Sequence, residues 1–454
     1  MKRVLYVVLA AFLFLMTFSF GGFSHRANAS GLEVGQKLEQ IISKATELSL
    51  VNDVTNLAPV QAIVTYQQMP TDNQLQILQD LGLQTRTFSE LPMVAIQGTA
   101  LQMKQLVSSG LEARSIYFNK DLEYLSSHPT GREVMGADKV NAQLGYTGKG
   151  VTVAVIDSGI DATHPDLPFG ETVIQNVKFL VGGDLLGTDS IYLENVVDTD
   201  TTSGHGTHVA GIIAGNGSAS DGVYKGVAPD ANLVGLGAGE GLNIFWVLAS
   251  FNYVLEHQEE YNIQVISNSY GTTGEYSPDA PINVASKKAH DSGIVVTFAA
   301  GNAGPEQNTL NPLSAAPWVI SVAAGTKDKK LADFSSRGVP GSSLLHPDIT
   351  APGVNIVSTR AKTGIVPLTS ATTDLTYLEP QYLPYYTTLS GTSMATPEIS
   401  GVVALMLEAN PDLTPDEVLN ILQNTADPMA GYDTYEVGAG YVNAYEAVQA
   451  AASK

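Results

Sequence analysis

Four widely separated stretches hold side chains of the types that acyl transfer uses. Asp157 closes the apolar run "VTVAVID", and His205 and His208 stand three apart in "SGHGTHVAG". Asn302 follows the apolar "IVVTFAAG", and Ser393 sits in "LSGTSMATP". Acyl transfer needs a nucleophile, a base to take its proton, a carboxylate to orient that base, and donors for the oxyanion of the tetrahedral intermediate. The chain offers a candidate for each role.

Each candidate also has a plainer reading. Asp157 is followed by "SGID", so it could be a turn aspartate bonding its own backbone. Ser393 precedes an amphipathic helical pattern, "MATPEISGVVALMLEA", and reads as its N-cap; the positive end of that helix would also stabilise a developing oxyanion. His205 and His208 could share a helix face as a metal pair, but the glutamate of an H-E-x-x-H helix is absent. A satisfied core histidine is the reading preferred for His208. Gly237, Gly239 and Gly241 in "VGLGAGEG" raise a dinucleotide-binding turn, yet their spacing is G-x-G-x-G and not G-x-G-x-x-G.

The elements that must position these groups are short Val- and Ile-rich runs, "VTVAVID", "ANLVGLG", "QVISNSYG" and "IVVTFAAGN", alternating with helical segments such as "NIFWVLASFNYVLEH". That alternation predicts a parallel, doubly wound α/β sheet with helices on both faces. Ligands of such sheets bind outside the carboxyl ends of the strands, where Asp157, Ser269 and Asn302 fall. Upstream, "VQAIVTY", "TDNQLQILQDLG", "LQTRTF", "MVAIQG", "TALQMKQLVSSG" and "LEARSIYF" predict a small α+β, ferredoxin-like βαββαβ unit, with capping residues opening both helices. Residues 30–59 carry only weak helical periodicity and read as a linker or helical lead-in.

The beginning "MKRVLYVVLAAFLFLMTFSF", with "ANA" at positions 27–29, reads as a secretory signal peptide. Its long apolar run leaves an uncleaved anchor as the rival reading. No later segment is apolar enough to span a bilayer. Forty-five acidic against 23 basic side chains give a formal charge of −22, which disfavours nucleic acid as a partner. With Cys 0, thiol catalysis, thiolate metal sites and disulfides are excluded.

The four motifs together resemble the motif set of the subtilisin-like serine endopeptidases, in the chain order Asp, His, Ser. The similarity runs on through "GVAPDA", "FSSRG" and "PDITAPGVNI". It implies Asp157 as orienting carboxylate, His205 as general base and acid, Ser393 as nucleophile, and Asn302 with the Ser393 amide as oxyanion hole. It further implies Ser269, Tyr270 and Gly271 as a substrate-pairing edge, with Glu240 and Gly241 on the opposite edge. The βαββαβ unit resembles the family's inhibitory pro-domain, whose tail occupies the cleft until cleavage near Tyr124 to His128.

The implied protein is a secreted, self-processing zymogen. Its parts are a signal peptide (1–29), a lead-in (30–59), a pro-domain (60–125) and a catalytic domain (126–454). Its partners are polypeptide substrates and its own pro-domain, and it needs no cofactor for catalysis and no membrane after signal removal. A catalytically silent binding protein, a metal-dependent hydrolase using His205 and His208, and a dinucleotide-binding oxidoreductase stand as alternatives.

Asp166 in "HPDL" matches a calcium-binding aspartate of many relatives and is the candidate for a structural calcium ligand, although its partner loop "GNGSASDGVYKG" differs. Glu398, after "TP", departs from the family's usual histidine; solvent exposure is the simplest expectation, with a preference for basic substrates or lowered activity as rivals. Two stretches, "GGDLLGTDSIYLENVVDTD" and "TGIVPLTSATTDLTYLEPQYLPYY", look longer than the family core and read as added surface loops or another ion site.

Overall fold

The computed structural model describes residues 33–35, 59–119, 123–124, 131–180, 192–238, 242–342 and 346–454. The signal-like segment, most of the lead-in, and Glu240 and Gly241 lie outside the described residues.

In the large unit, the alternation of Val153 and Val155 with Ala154 and Ile156 divides one strand between two cores. The first pair packs with Val209, Met394 and Val402, and the second with Phe245, Ile282 and Phe298. A strand buried on both faces is the signature of a sheet sandwiched between helices. The sheet has eight strands, in the order Ile349–Pro352, Ile320–Gly325, Val295–Ala299, Ile263–Asn268, Thr152–Asp157, Asn232–Gly237, Val173–Phe179 and Tyr192–Leu193. Seven are parallel, and the eighth, at one edge, is antiparallel. The expected parallel sheet therefore carries one reversed edge strand.

Helices His205–Ala214 and Thr392–Ala409 cover one face, and Ile244–Glu256 and Pro281–Asp291 the other. The amphipathic pattern expected after Ser393 is corrected here: every residue from Thr392 to Leu407 is buried. The sheet lies on one side of this helix, and the His205–Ala214 and Ala444–Ser453 helices pack on the others, so no face is left for water.

The small unit has the order βαββαβ: Val60–Thr65, Asp72–Asp80, Gln84–Thr87, Met93–Gly98, Ala100–Val107 and Ser115–Phe118. Both helices open with capping boxes, Thr71 with Gln74 and Thr99 with Gln102, which satisfy amide groups of the first turn locally. Glu33–Val34, inside the stretch expected to be linker or helix, instead adds a parallel fifth strand beside Ser115–Ile116.

One face of this small sheet docks on the large unit. Ile63, Phe88, Leu91, Met93 and Ala95 join the core that contains Phe245 and Trp246, with the Phe88 and Phe245 rings 5.8 Å apart. Polar contacts of the interface include the body of the Ile244–Glu256 helix, where Asn252 Oδ1 accepts from the Glu90 amide at 3.0 Å and Glu256 accepts from the Ser89 hydroxyl, and the starts of two helices. Asn119 Oδ1 accepts from the Phe245 amide at 2.8 Å, and Ser115 Oγ donates to the Asp279 carbonyl at 2.8 Å, beside the Arg114–Asp279 ion pair.

Candidate active site

Parallel strands bring their carboxyl ends to one rim of the sheet, and three of the predicted residues arrive there by this rule alone. Asp157 is the last residue of a central strand, Ser269 follows Ile263–Asn268 directly, and Asn302 lies just past Val295–Ala299. His205 and Ser393 come instead from the first turns of the two helices on one face.

Asp157 Oδ1 accepts from His205 Nδ1 at 2.8 Å and from the Ser158 amide at 2.7 Å. The aspartate and the imidazole are each 1% exposed or less, so their attraction is little screened by water. The close approach depends on Gly206: a Cβ there would collide with the Gly159 carbonyl and come within 3.0 Å of the Asp157 carboxylate.

The His205 helix starts at Gly204, which has φ 88° and no side chain to cap with. A carboxylate 4 residues upstream takes over the role. Asp200 accepts from the Gly204 amide at 2.8 Å, the Thr207 amide at 2.9 Å and the Thr207 hydroxyl at 2.6 Å. Burial pushes the Asp200 carboxyl up to about 6, against these stabilising donors. Sequence reasoning missed Asp200; its only signal is an aspartate just upstream of a helix that opens on glycine.

His208 points away from this rim, with Nε2 3.1 Å from the Ile356 carbonyl and 3.2 Å from that of Thr387. Burial, aided by nearby His205, pushes its imidazole down to about 3, so it is a neutral donor within the core. The two histidines are not brought together as a metal pair.

Ser393 is the second residue of its helix, and Gly391 is the cap. The expected N-cap role is thus corrected: Ser393 Oγ donates instead to the Ser269 carbonyl at 2.8 Å. A hydroxyl has one proton, so transfer to an imidazole requires that this proton turn away from the Ser269 carbonyl. Asn302 Oδ1 accepts from the Thr392 amide at 3.0 Å and the Thr392 hydroxyl at 2.9 Å. With its oxygen held by the serine helix, the half-buried Asn302 turns its NH₂ donors away from that anchor.

Next to Ser269, Tyr270 and Gly271 form a short edge strand. Asn311, which sequence reasoning also missed, clamps it by donating to the Tyr270 carbonyl at 3.1 Å and the Ala299 carbonyl at 2.9 Å. Glu123–Tyr124 pairs antiparallel with this edge, Tyr124 opposite Tyr270 and Glu123 opposite Gly271. The peptide that follows the small unit is therefore added as a strand beside Ser269 and Ser393.

These geometries stand beside clear sequence relationships. Residues 148–444 match the model of the subtilase family. The chain belongs to that family. It is 34% identical over 380 residues to serine protease AprX of Bacillus subtilis (strain 168), covering 80% of each chain. It is also 34% identical to subtilisin DY of Bacillus licheniformis, covering 71% of this chain and 98% of that one. Its fold is similar to that of fervidolysin from Fervidobacterium pennivorans, a keratinolytic enzyme related to subtilisin, with TM-score 0.64 and 24% identity. That match covers 86% of this chain and about three fifths (61%) of fervidolysin. This subtilase is a subtilisin-like serine endopeptidase.

Two peripheral expectations fare differently in this subtilase. Asp166 is buried, and both its carboxylate oxygens are taken by donors: Oδ1 by the Ala219 amide at 2.8 Å and Ser218 Oγ at 3.2 Å, and Oδ2 by the Tyr386 hydroxyl at 2.6 Å. An oxygen cage for calcium needs six to eight acceptors, so this donor-filled arrangement does not fit the ion. Glu398 is 2% exposed, which corrects the expectation that it faces solvent. It packs against Gly131, where a Cβ would collide with its Oε1, and Oε2 has no hydrogen-bond partner among the described residues. Burial raises its carboxyl well above the usual range, with Arg132 opposing. Gly237 packs on Gly159 and Thr199 at a strand end, which explains the glycine without a nucleotide.

Proposed function

We propose that this subtilase is a secreted endopeptidase made as a self-processing zymogen, with residues 1–29 as its signal peptide and 60–125 as an inhibitory pro-domain. Asp157 orients His205 and stabilises the imidazolium that forms when Ser393 gives up its proton. The Ser393 alkoxide attacks the substrate carbonyl as its hydroxyl leaves Ser269. The new oxyanion is met by the Asn302 amide and by the Ser393 N–H, which lies in the helical turn whose amides lack intrahelical partners. His205 then protonates the leaving amine, and water hydrolyses the acyl-enzyme by the same steps in reverse. These side chains suffice for the chemistry without a cofactor.

The observation that carries the zymogen reading is the antiparallel pairing of Glu123–Tyr124 with Tyr270–Gly271, next to the Ser393 hydroxyl. Backbone pairing of this kind recognises extended peptides with little regard to side chains. It presents the chain's own segment as the first substrate, with the cut close after Tyr124. Glu240 and Gly241 are assigned to the opposite edge by the family resemblance.

Ser393→Ala is the test. Purified wild type should release the N-terminal unit and label with a fluorophosphonate, whereas the variant should stay full length and unlabelled. Maturation of the pure variant would overturn self-processing.

A further inference from the structure

The stretch around residues 363–385, which the family resemblance reads as an addition to the core, folds as two short helices, Ile365–Thr369 and Ala371–Tyr377. Its inner side is pinned. The buried Asp374 carboxylate accepts from Arg360 Nη1 at 3.0 Å, Thr387 Oγ1 at 2.9 Å and Ser370 Oγ at 3.2 Å, and Arg360 Nη2 donates to the Pro367 carbonyl at 2.9 Å. Its outer side is apolar. Leu368 is 80% exposed and Leu375 71%, with Ile365, Tyr377 and Tyr385 also open to solvent. Of the twelve large apolar side chains exposed among the described residues, these are five. Scattered exposed apolar residues need no explanation, but a concentration on a rigid support marks a contact surface.

The place of the insert says what it meets. The Ile365 amide donates to the Thr202 carbonyl at 3.0 Å, the Val366 amide to that of Ser203 at 2.9 Å, and Thr363 Oγ1 to that of Thr201 at 3.0 Å. Pro367 closes over Gly204. The insert is thus fastened to the residues that lead directly into His205. On the other side, the register of Glu123–Tyr124 runs from Gly271 towards Ser269, so successive residues of a bound chain advance to Ser393 and then pass it. The acyl side of a substrate lies along Tyr270–Gly271, and the leaving side is the part that continues past the histidine.

We propose that the Ile365–Tyr377 insert is a specificity surface for apolar residues of a polypeptide substrate on the C-terminal side of the scissile bond. This rests on the endopeptidase reading above. The test uses two internally quenched peptides with the same acyl side, one continuing with Leu, Val and Phe and the other with Ser, Gly and Asn, and a short acyl-side anilide. Wild type should favour the apolar peptide. The double variant Leu368→Gln/Leu375→Gln should lose roughly tenfold in kcat/KM on that peptide alone, the scale of two partly buried leucines, and keep its rates on the other two substrates. Leu368→Gln by itself should lose about threefold, half of that free energy.

Unchanged selectivity, or an equal loss on all three substrates, would overturn the proposal. So would sedimentation showing a wild-type dimer that the variant abolishes while selectivity stays as it was, since the face would then be a self-association surface. Failure of wild type to cleave any of them or to take the fluorophosphonate label would defeat the endopeptidase reading itself, a distinct result.

Discussion

Helices begin in two different ways in this molecule, and those of the small unit differ in this from the two that carry His205 and Ser393. In the small unit, Thr71 and Thr99 cap their helices with their own side chains and with the glutamine three residues later. In the large unit, the helices that bear His205 and Ser393 start at Gly204 and Gly391, without any side-chain cap. Their first turns are served from outside the cap residue: Asp200, 4 residues before Gly204, accepts from the Gly204 and Thr207 amides, and Asn302, 90 residues before Thr392, accepts from the Thr392 amide. A local cap fixes only its own helix. A remote cap fixes a helix relative to another element, which is what a site assembled from separate strands and helices requires.

That contrast can be broken at its strongest point with Asn302→Ala. The substitution removes the proposed oxyanion donor and the acceptor that ties the serine helix to the strand end. We expect kcat to fall on the order of 10²- to 10³-fold, the scale established for the equivalent loss in subtilisin. Steady-state kinetics on a short anilide would check it. A fall of less than threefold would mean that Asn302 does not face the reacting carbonyl.

Asp200→Ala sharpens the comparison at the other helix. It strands two buried amides and the Thr207 hydroxyl, at a cost of about 1–3 kcal/mol for an unpaired buried group. It also frees the first turn that carries His205. We expect kcat to drop about tenfold or more, while fluorophosphonate labelling slows in parallel. Labelling at the wild-type rate would show that Asp200 supports the fold without positioning the histidine.

Glu398 stands on the same helix as Ser393 and has no remote partner of comparable quality. Its folded-state pKa is raised above the unfolded value, so the folded protein holds the proton more tightly. Stability from this group is complete below the ordinary carboxyl range near 4.5 and is lost as pH rises towards the folded pKa, at up to about 1.4 kcal/mol per pH unit. Glu398→Gln removes the proton linkage. Urea denaturation of the wild type and variant should therefore give a difference that grows in the variant's favour from about pH 5 upwards. A difference independent of pH would show that the carboxyl is ionised in the folded protein.

These contrasts also explain what could be read from the sequence. The βαββαβ order was legible because a capping box and a strand period are short-range patterns, and the α/β alternation was legible for the same reason. Asp157, Ser269 and Asn302 were legible as a rim because parallel strands end on one side. Asp200 was not, since a carboxylate that caps across a loop looks like any turn aspartate. The burial of Glu398 and of the whole Thr392–Leu407 stretch escaped because a polar residue in a helix says nothing about which neighbours close over it. Glu33–Val34 escaped because two residues carry no period.

The smallest effect belongs to the locally capped helices. Thr99→Ala removes the hydroxyl that accepts from the Gln102 amide at 3.2 Å and leaves that amide to water. The expected cost is about 1 kcal/mol, confined to the small unit. It is best measured in the Ser393→Ala background, where the zymogen proposal keeps the N-terminal unit attached. Thermal unfolding should show the small unit melting earlier, while the large unit keeps its transition. Under the proposed self-processing, the same substitution should leave the activity of the mature form unchanged, because a cap that serves only its own helix transmits nothing to the rim. A change in mature kcat would mean that the small unit leaves a lasting imprint on the site, and the separation between local and remote capping would fail with it.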